Sequence, residues 1–212
     1  MLAWADMLQQ WPDVRQRYNV GPSATIAVFI AGTSGKQSYI SQAMRWGLVP
    51  AWSKQFDSKY ATFNARVEGI ADKPSYRAAW KNQRRCLIPM AGYYEWQNDP
   101  ASTHKQPFYI TDLNIGGLLA AGLFELWDQS GDSRLSCTMI TRAADSGLDK
   151  IHHRMPVMLS VENANSWMNG DLEQPVEFIQ ELQTPDIVYW PVDKSVGNVR
   201  NNHVGLSQPI DT

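Results

Sequence analysis

Cysteine is scarce in this chain. Cys86 and Cys137 are its two thiols in 212 residues, and no CxxC, HxxxH or HExxH spacing accompanies them. That excludes a disulfide scaffold and a zinc ribbon, leaves no metal site in view, and points to a reducing compartment. No apolar run approaches the roughly 18 residues of a membrane-spanning helix. The opening "MLAWADMLQQ" carries Asp6 and no basic stretch, so it does not read as a secretory signal. No P-loop or GxGxxG is present, so the sequence makes no case for a nucleotide cofactor. There is no internal repeat, low-complexity stretch or evident linker, and one domain over residues 1–212 is expected, in the cytoplasm.

What is present is ordinary in amount and uneven in placement. Hydrophobic residues make up 43% and charged residues 19%, as in a folded globular protein with one sizeable core. Nine tryptophans suit a tryptophan-rich core or a set of stacking surfaces. The net charge of −2 hides a polarity along the chain. Six basic residues (Arg66, Lys73, Arg77, Lys81, Arg84, Arg85) face two acidic ones between Arg66 and Arg85, whereas Glu162 to Asp186 holds six acidic residues and no lysine or arginine. A polyanion is steered to the first region and repelled by the second; two solvated faces of opposite sign are the plainer alternative.

Hydrophobic periodicity sets the expected elements. Trp4, Leu8 and Trp11 suggest a short amphipathic helix closed by Pro12. "TIAVFIAG", the stretch Tyr39 to Trp46, "RRCLIPM", "GYYEW", "QPFYIT", "GLLAAGLFELW", "RLSCTMIT" and "DIVYWPV" read as strands, with "QSGDS" as a hairpin connection. Helices are expected at "KPSYRAAWKN", where Arg77 and Lys81 form a basic stripe, and at "AADSGLDK", "SVENANSWMN" behind a Ser160 cap, and "LEQPVEFIQEL". Strands outnumber helical crossovers. The prediction is therefore an α+β domain around a strongly bent or barrel-like sheet edged by helices, not a doubly wound sheet.

Three stretches carry more chemistry than a scaffold needs. In "ATFNARVEG", a period of two sends Phe63, Ala65 and Val67 one way and Asn64, Arg66 and Glu68 the other. An amide beside a guanidinium suits an anionic or sugar-like ligand, although an edge strand can carry the same face as solvation. In "GYYEW", Glu95 sits between Tyr94 and Trp96; aromatic surroundings disfavour the charged carboxylate and suit a general acid, while pairing with an arginine is the structural alternative. In "IHHRMPVML", His152 precedes Arg154 and an apolar strand-like run; His152 and His153 are adjacent and point apart, which does not suit a metal.

The order of these stretches is more specific than any one of them. "RYNVGP", "RWGLVPAW", "FNARVEG", "RCLIPMAGYYEW", "KQPFYI", "IHHRMPVML" and "PVDKSVGNVRNN" follow one another from Arg17 almost to the end. In this the chain resembles the SRAP family, the SOS-response-associated peptidases or abasic-site processing proteins, in its bacterial form. The resemblance implies a bent, barrel-containing β-structure surrounded by helices. It also implies recognition of an abasic site in single-stranded DNA and a covalent linkage to the ring-opened sugar. In the family an N-terminal cysteine supplies both groups: its amine forms an imine with the aldehyde, and its thiol closes a thiazolidine.

Carried over by motif, Asn64 positions the sugar, Arg66 a flanking phosphate, Glu95 acts as general acid and base, and His152 shuttles a proton or holds the opened sugar and phosphate. Asn19 is another site amide, and Trp46, Pro50 and Trp52 form a wedge and stacking surface. Arg77, Lys81, Arg84, Arg85 and Arg154 complete the expected DNA contacts of a monomer that needs no cofactor or metal. The departure is at the start, where the family has Met-Cys-Gly-Arg and this sequence has Met-Leu-Ala-Trp. Cys86 cannot substitute, because the ring needs amine and thiol on one residue. As written, the chain is expected to bind abasic single strands without closing the thiazolidine. A downstream start assignment, a lost N-terminus and a member without the nucleophile are three accounts of the difference. A non-covalent single-strand-binding module and a self-processing cysteine peptidase are the competing functions; borohydride trapping separates covalent from non-covalent readings.

Overall fold

The computed structural model describes residues 17–32, 39–57, 60–97, 105–113, 116–129, 131–145, 147–169 and 172–210. β1 (Thr25–Ala31) and β2 (Tyr39–Trp46) pair antiparallel along their whole length, from Thr25 opposite Arg45 to Ala31 opposite Tyr39. β3 (Asn64–Arg66) is short and runs into a single 3-10 turn at Val67–Gly69. β4 (Arg85–Met90) lies beside β1, and β5 (Tyr93–Gln97) and β6 (Gln106–Thr111) pair with each other. β7 (Leu118–Gln129) and β8 (Asp132–Ala143) form a long hairpin whose turn contains Gly131 at φ +84°, a left-handed position that glycine adopts at no steric cost. β9 (Arg154–Pro156) pairs with β8, and β10 (Val188–Pro191) with β6.

One unusual pairing turns the larger sheet into a ring. The order β2-β1-β4-β7-β8 returns on itself, because Arg45 and Trp46 pair in parallel with Ser136 and Cys137. All five strands send side chains inward, Val28, Met44, Cys86, Ile88, Ala120, Cys137 and Met139 among them, which is the alternation expected of a small barrel. Their neighbours Phe29, Leu87, Leu119, Ala121, Leu123 and Ile140 face outward under the helices. There they meet Ala79 of α1 (Arg77–Lys81), Trp167 of α2 (Val161–Met168) and Ile179 of α3 (Pro175–Glu181). Burying each such large aliphatic or aromatic side chain contributes roughly 1.5–3 kcal/mol. The bent, barrel-containing α+β domain read from the sequence is thus the observed architecture.

Local chemistry accounts for the helices. The Ser160 hydroxyl accepts from the Asn163 N–H at 3.1 Å and caps α2 as expected. Pro175 opens α3, where its missing N–H costs nothing, and the buried Arg142 guanidinium donates to the carbonyls of Ile179 and Leu182 at its end. α1 buries Tyr76 and Ala79 and leaves Arg77 and Lys81 exposed. "AADSGLDK" is not a helix: Gly147 stands at φ +110° and the following residues form a turn. The helix expected around Trp4 and Trp11 lies outside the described residues. Among the described residues, no helix is long and apolar enough to cross a membrane.

β7 and β8 part beyond the pair Gly122–Met139, and β9 with the three residues after it fills the fork. Val157 donates to Ile140 and accepts from Ala121, both at 2.9 Å, and Leu159 donates to Leu119 at 2.8 Å. This insertion fixes the chain immediately after His152.

Candidate functional site

β3 hangs on the outer side of the ring. It runs parallel to β8 with Asn64, Ala65 and Arg66 opposite Met139, Ile140 and Thr141. Ala65 and Val67 are buried while Asn64, Arg66 and Glu68 are exposed, so the alternation read from the sequence is realised. The Tyr76 hydroxyl donates to the Asn64 carbonyl at 3.2 Å, and the Trp46 indole N–H donates to the carbonyl of Phe63 at 2.9 Å. The strand is held by its backbone and by Ala65, which leaves the Asn64 and Arg66 side chains directed to solvent.

Glu95 enters from the smaller sheet. Its strand period puts Tyr94 and Trp96 on the far face, where they pack with Val192, Val196 and Leu206. The aromatic surroundings expected from those two neighbours therefore lie on the wrong side, and Tyr93 and Gln97 share the carboxylate's face. Gln97 donates to the Lys150 carbonyl at 2.9 Å, which brings this face against the segment leading to His152. One Glu95 oxygen accepts from the Trp96 N–H at 3.0 Å, and the other lies 3.7 Å from Nδ1 of His152. The two side chains are 27% and 30% exposed, open enough to meet a substrate. Burial, with the Glu95 charge in second place, raises the Tyr93 phenol well above its usual range, so it stays a neutral donor beside the carboxylate.

His152 is aligned by the backbone of Arg154. The Arg154 N–H donates to Nδ1 at 3.2 Å, and the Arg154 carbonyl lies 3.1 Å from the same nitrogen. A neutral ring accepts from the N–H with its proton on Nε2; a protonated ring has both the carbonyl and Glu95 available to Nδ1–H. Each protonation state thus has a partner in the same orientation.

The Arg154 side chain turns the other way. Its two terminal nitrogens reach the two Glu68 oxygens at 2.5 and 2.9 Å, and Nη2 also donates to the Thr141 carbonyl at 2.7 Å. This fork holds the Glu68 carboxyl below its ordinary range, chiefly through the Arg154 hydrogen bonds, with Arg66 adding a smaller Coulombic share. Glu68 lies two residues past Arg66 and Arg154 two past His152, so the ion pair joins the two halves of the site. Glu68 and Thr141 were outside the residues singled out from sequence; the signal for Glu68 was its place on the polar face of "NARVE".

The remaining candidates scatter. Trp52 is 63% exposed and Trp46 half-buried, whereas Pro50 is buried and offers no wedge. Asn19 donates both amide hydrogens to the carbonyls of Val196 and Asn198, at 2.8 and 3.2 Å, and so pins the C-terminal segment to the chain near residue 19. Arg77 and Lys81 line an open cleft with Trp80 and Asn82. Arg84 is paired with the buried carboxylate of Glu125. Arg85 leaves the expected basic surface altogether. It is buried under α2, donates to the Trp167 carbonyl at 3.1 Å and sits 4.8 Å over the Trp167 ring. Both thiols lie inside the ring, where burial holds Cys86 far above its ordinary range and pushes Cys137 up to about 12, so neither is a reactive nucleophile.

The arrangement sets a carboxylate and an imidazole 3.7 Å apart, linked through the Arg154–Glu68 ion pair to the strand that exposes Asn64 and Arg66, on an α+β barrel. A family model described as SOS response associated peptidase (SRAP) matches residues 3–199. The chain is 36% identical over 192 residues to the abasic site processing protein YoqW of Bacillus subtilis, covering 87% of this chain and 82% of that one. It is 30% identical over 244 residues to the abasic site processing protein HMCES of Pongo abelii, covering 96% and 69%. Among solved structures, a protein from Bacteroides thetaiotaomicron superposes with a TM-score of 0.73 at 24% identity, covering 89% of this chain and 82% of that one, a likeness of fold. A phage-related protein from Bordetella bronchiseptica gives 0.62 at 26% identity, with 87% of each chain covered. The chain belongs to the SRAP family.

Proposed function

We propose that this protein recognises abasic sites in single-stranded DNA and processes them at the Glu95–His152 pair, acting as a monomer. The observation that carries the reading is the carboxylate and imidazole 3.7 Å apart, beside a strand that offers Asn64 and Arg66 to solvent. Asn64 hydrogen-bonds the sugar, Arg66 takes a flanking phosphate, and the exposed Trp52 stacks on a neighbouring base. The names of YoqW and HMCES support the substrate class.

The chemistry follows from the ring-opened sugar, which presents an aldehyde at C1′. A primary α-amine adds to that carbon, and the carbinolamine loses its hydroxyl as water once Glu95 supplies a proton. The sulfur of the same residue then bonds to the imine carbon, its proton passes to the nitrogen, and a thiazolidine results. His152 exchanges protons with the sugar and returns Glu95 to its starting state. Cys86 and Cys137 have no α-amine to offer and the sequence begins Met-Leu-Ala-Trp, so closing the ring calls for a cysteine placed at the N-terminus, as the family has.

Two measurements test this. Fluorescence anisotropy should show an abasic single strand preferred over a blunt duplex, with affinity falling as salt rises. Placing Met-Cys-Gly-Arg ahead of the sequence should give a heat-stable adduct on a denaturing gel, and converting Cys86 and Cys137 to serine should not remove it. Equal binding to duplex, or an adduct that depends on Cys86, overturns the reading.

A further inference from the structure

Tyr76 reaches the strand Asn64–Arg66 from a direction that β8 does not. The Phe63 carbonyl points to the β8 side, where it accepts from the Met139 N–H at 2.9 Å, and the Trp46 indole joins it at 2.9 Å. Successive carbonyls of an extended chain point to opposite edges, so the Asn64 carbonyl is turned the other way. There it accepts from the Tyr76 hydroxyl at 3.2 Å. The peptide groups before and after the Asn64 Cα are thus bonded from opposite sides. The Asn64 side chain itself is exposed, so packing does not aim it, and its direction comes from those two peptide groups.

The donor is rigid. Tyr76 is 5% exposed, and its ring packs in the cluster that holds Ala65, Val67, Ile70 and Ala79. Its N–H donates to the Lys73 carbonyl and its own carbonyl accepts from the Trp80 N–H, each at 2.9 Å, so a turn and the start of α1 fix its backbone. Burial raises the phenol above its usual range, with a hydrogen bond from Thr138 opposing in second place, and the hydroxyl stays protonated.

We infer that Tyr76 is a positioning residue: its hydroxyl fixes the Asn64 peptide and so aims the Asn64 amide at the abasic sugar. What the amide meets rests on the function proposed above; the hold on Asn64 does not. Removing the hydroxyl leaves the ring in the core and β3 on its ladder to β8, and releases only the bond at the strand's other edge. Loss of one such hydrogen bond corresponds to a change of about 3- to 10-fold in an equilibrium constant.

Tyr76→Phe, Asn64→Ala and the double variant probe it. The first readout needs no DNA: in Tyr76→Phe the ¹³C resonance of the Asn64 carbonyl and the ¹⁵N resonance of its side-chain amide should both move. The second is fluorescence anisotropy with two single strands, alike except for a tetrahydrofuran abasic site in one. Preference for the strand with the site should fall about 3- to 10-fold in Tyr76→Phe, while affinity for the intact strand stays within about two-fold. In the Asn64→Ala background the same substitution should change the preference by less than about two-fold, because residues acting through one contact are not additive. A tyrosine serving only the core lowers the melting temperature and leaves the preference alone.

Unmoved Asn64 resonances overturn the inference. So does an unchanged preference, or a fall of equal size in the Asn64→Ala background, which places the effect elsewhere. If the parent protein shows no preference for the abasic strand, the proposed role of Asn64 falls, and the resonances alone decide whether Tyr76 holds it. Should Tyr76→Phe not fold, 3-fluorotyrosine placed at position 76 keeps the hydroxyl and makes it a stronger donor. The Asn64 carbonyl resonance should then shift, and an unshifted one overturns the hold.

Discussion

At Glu95 the period of a strand decides what adjacency in sequence cannot. Tyr94 and Trp96 leave for the opposite face, and the carboxylate looks toward Tyr93, Gln97 and His152. If Glu95 moves protons in the imine steps, Glu95→Gln in the chain preceded by Met-Cys-Gly-Arg should slow adduct formation by roughly 10²–10⁴-fold, the usual range for general acid–base catalysis. Binding to an unreactive abasic analogue should hardly change, because the amide keeps the shape and its oxygen can still accept from the Trp96 N–H. Rate and melting temperature measured on one sample separate the roles: a normal rate with a lowered melting temperature makes Glu95 scaffold. The exposed trio on "NARVE" was legible because alternation alone assigns its face. The partner of Glu68 was not, because Arg154 is 86 residues away and nothing local marks the pair. Arg85 was misread for a related reason, since a basic run in sequence does not say which of two adjacent arginines turns inward.

Among the elements, the strands of the ring were legible from continuous or alternating apolar runs, and α2 from its serine cap. The failure at "AADSGLDK" has a local cause in Gly147, whose φ of +110° a helix cannot contain. The closure of the ring was not readable, because a pairing of two residues between β2 and β8 leaves no periodic trace. Gly122 shows how tightly that ring is drawn. A Cβ there would stand 2.8 Å from Sγ of Cys86 and 2.8 Å from the Thr138 carbonyl oxygen. Gly122→Ala should therefore destabilise the protein by about 1–3 kcal/mol, the cost of overpacking a closed core. Cys86→Ala in the same background should recover part of the loss and not all of it, since the Thr138 contact is backbone and cannot be trimmed. Urea titrations of the single and double variants read both amounts; an unchanged midpoint for Gly122→Ala would mean the ring is looser than its geometry.

Across the whole molecule, basic and acidic residues are concentrated in different stretches of the chain. The basic stretch begins at Arg66 and continues through the exposed Arg77 and Lys81, which share a cleft with Trp80. Reversing both, as Arg77→Glu with Lys81→Glu, should slow association with single-stranded DNA by about 10-fold or more at low salt and much less near 1 M, where screening extends only about 3 Å. Stopped-flow rates at several ionic strengths check this; a salt-independent loss would mean that the pair makes only short-range contacts. The ring adds an order of events to this surface. While the chain is being synthesised, the edge of β2 that faces away from β1 has no ladder partner at Arg45 and Trp46 until Ser136 and Cys137 have emerged, and Asn64 to Arg66 wait for the same strand. β8 is thus the last brace for the barrel and the ladder partner of the Asn64–Arg66 strand. A nascent chain still short of it can hold neither, so a ribosome-bound fragment has not yet brought Asn64 and Arg66 to their place beside β8.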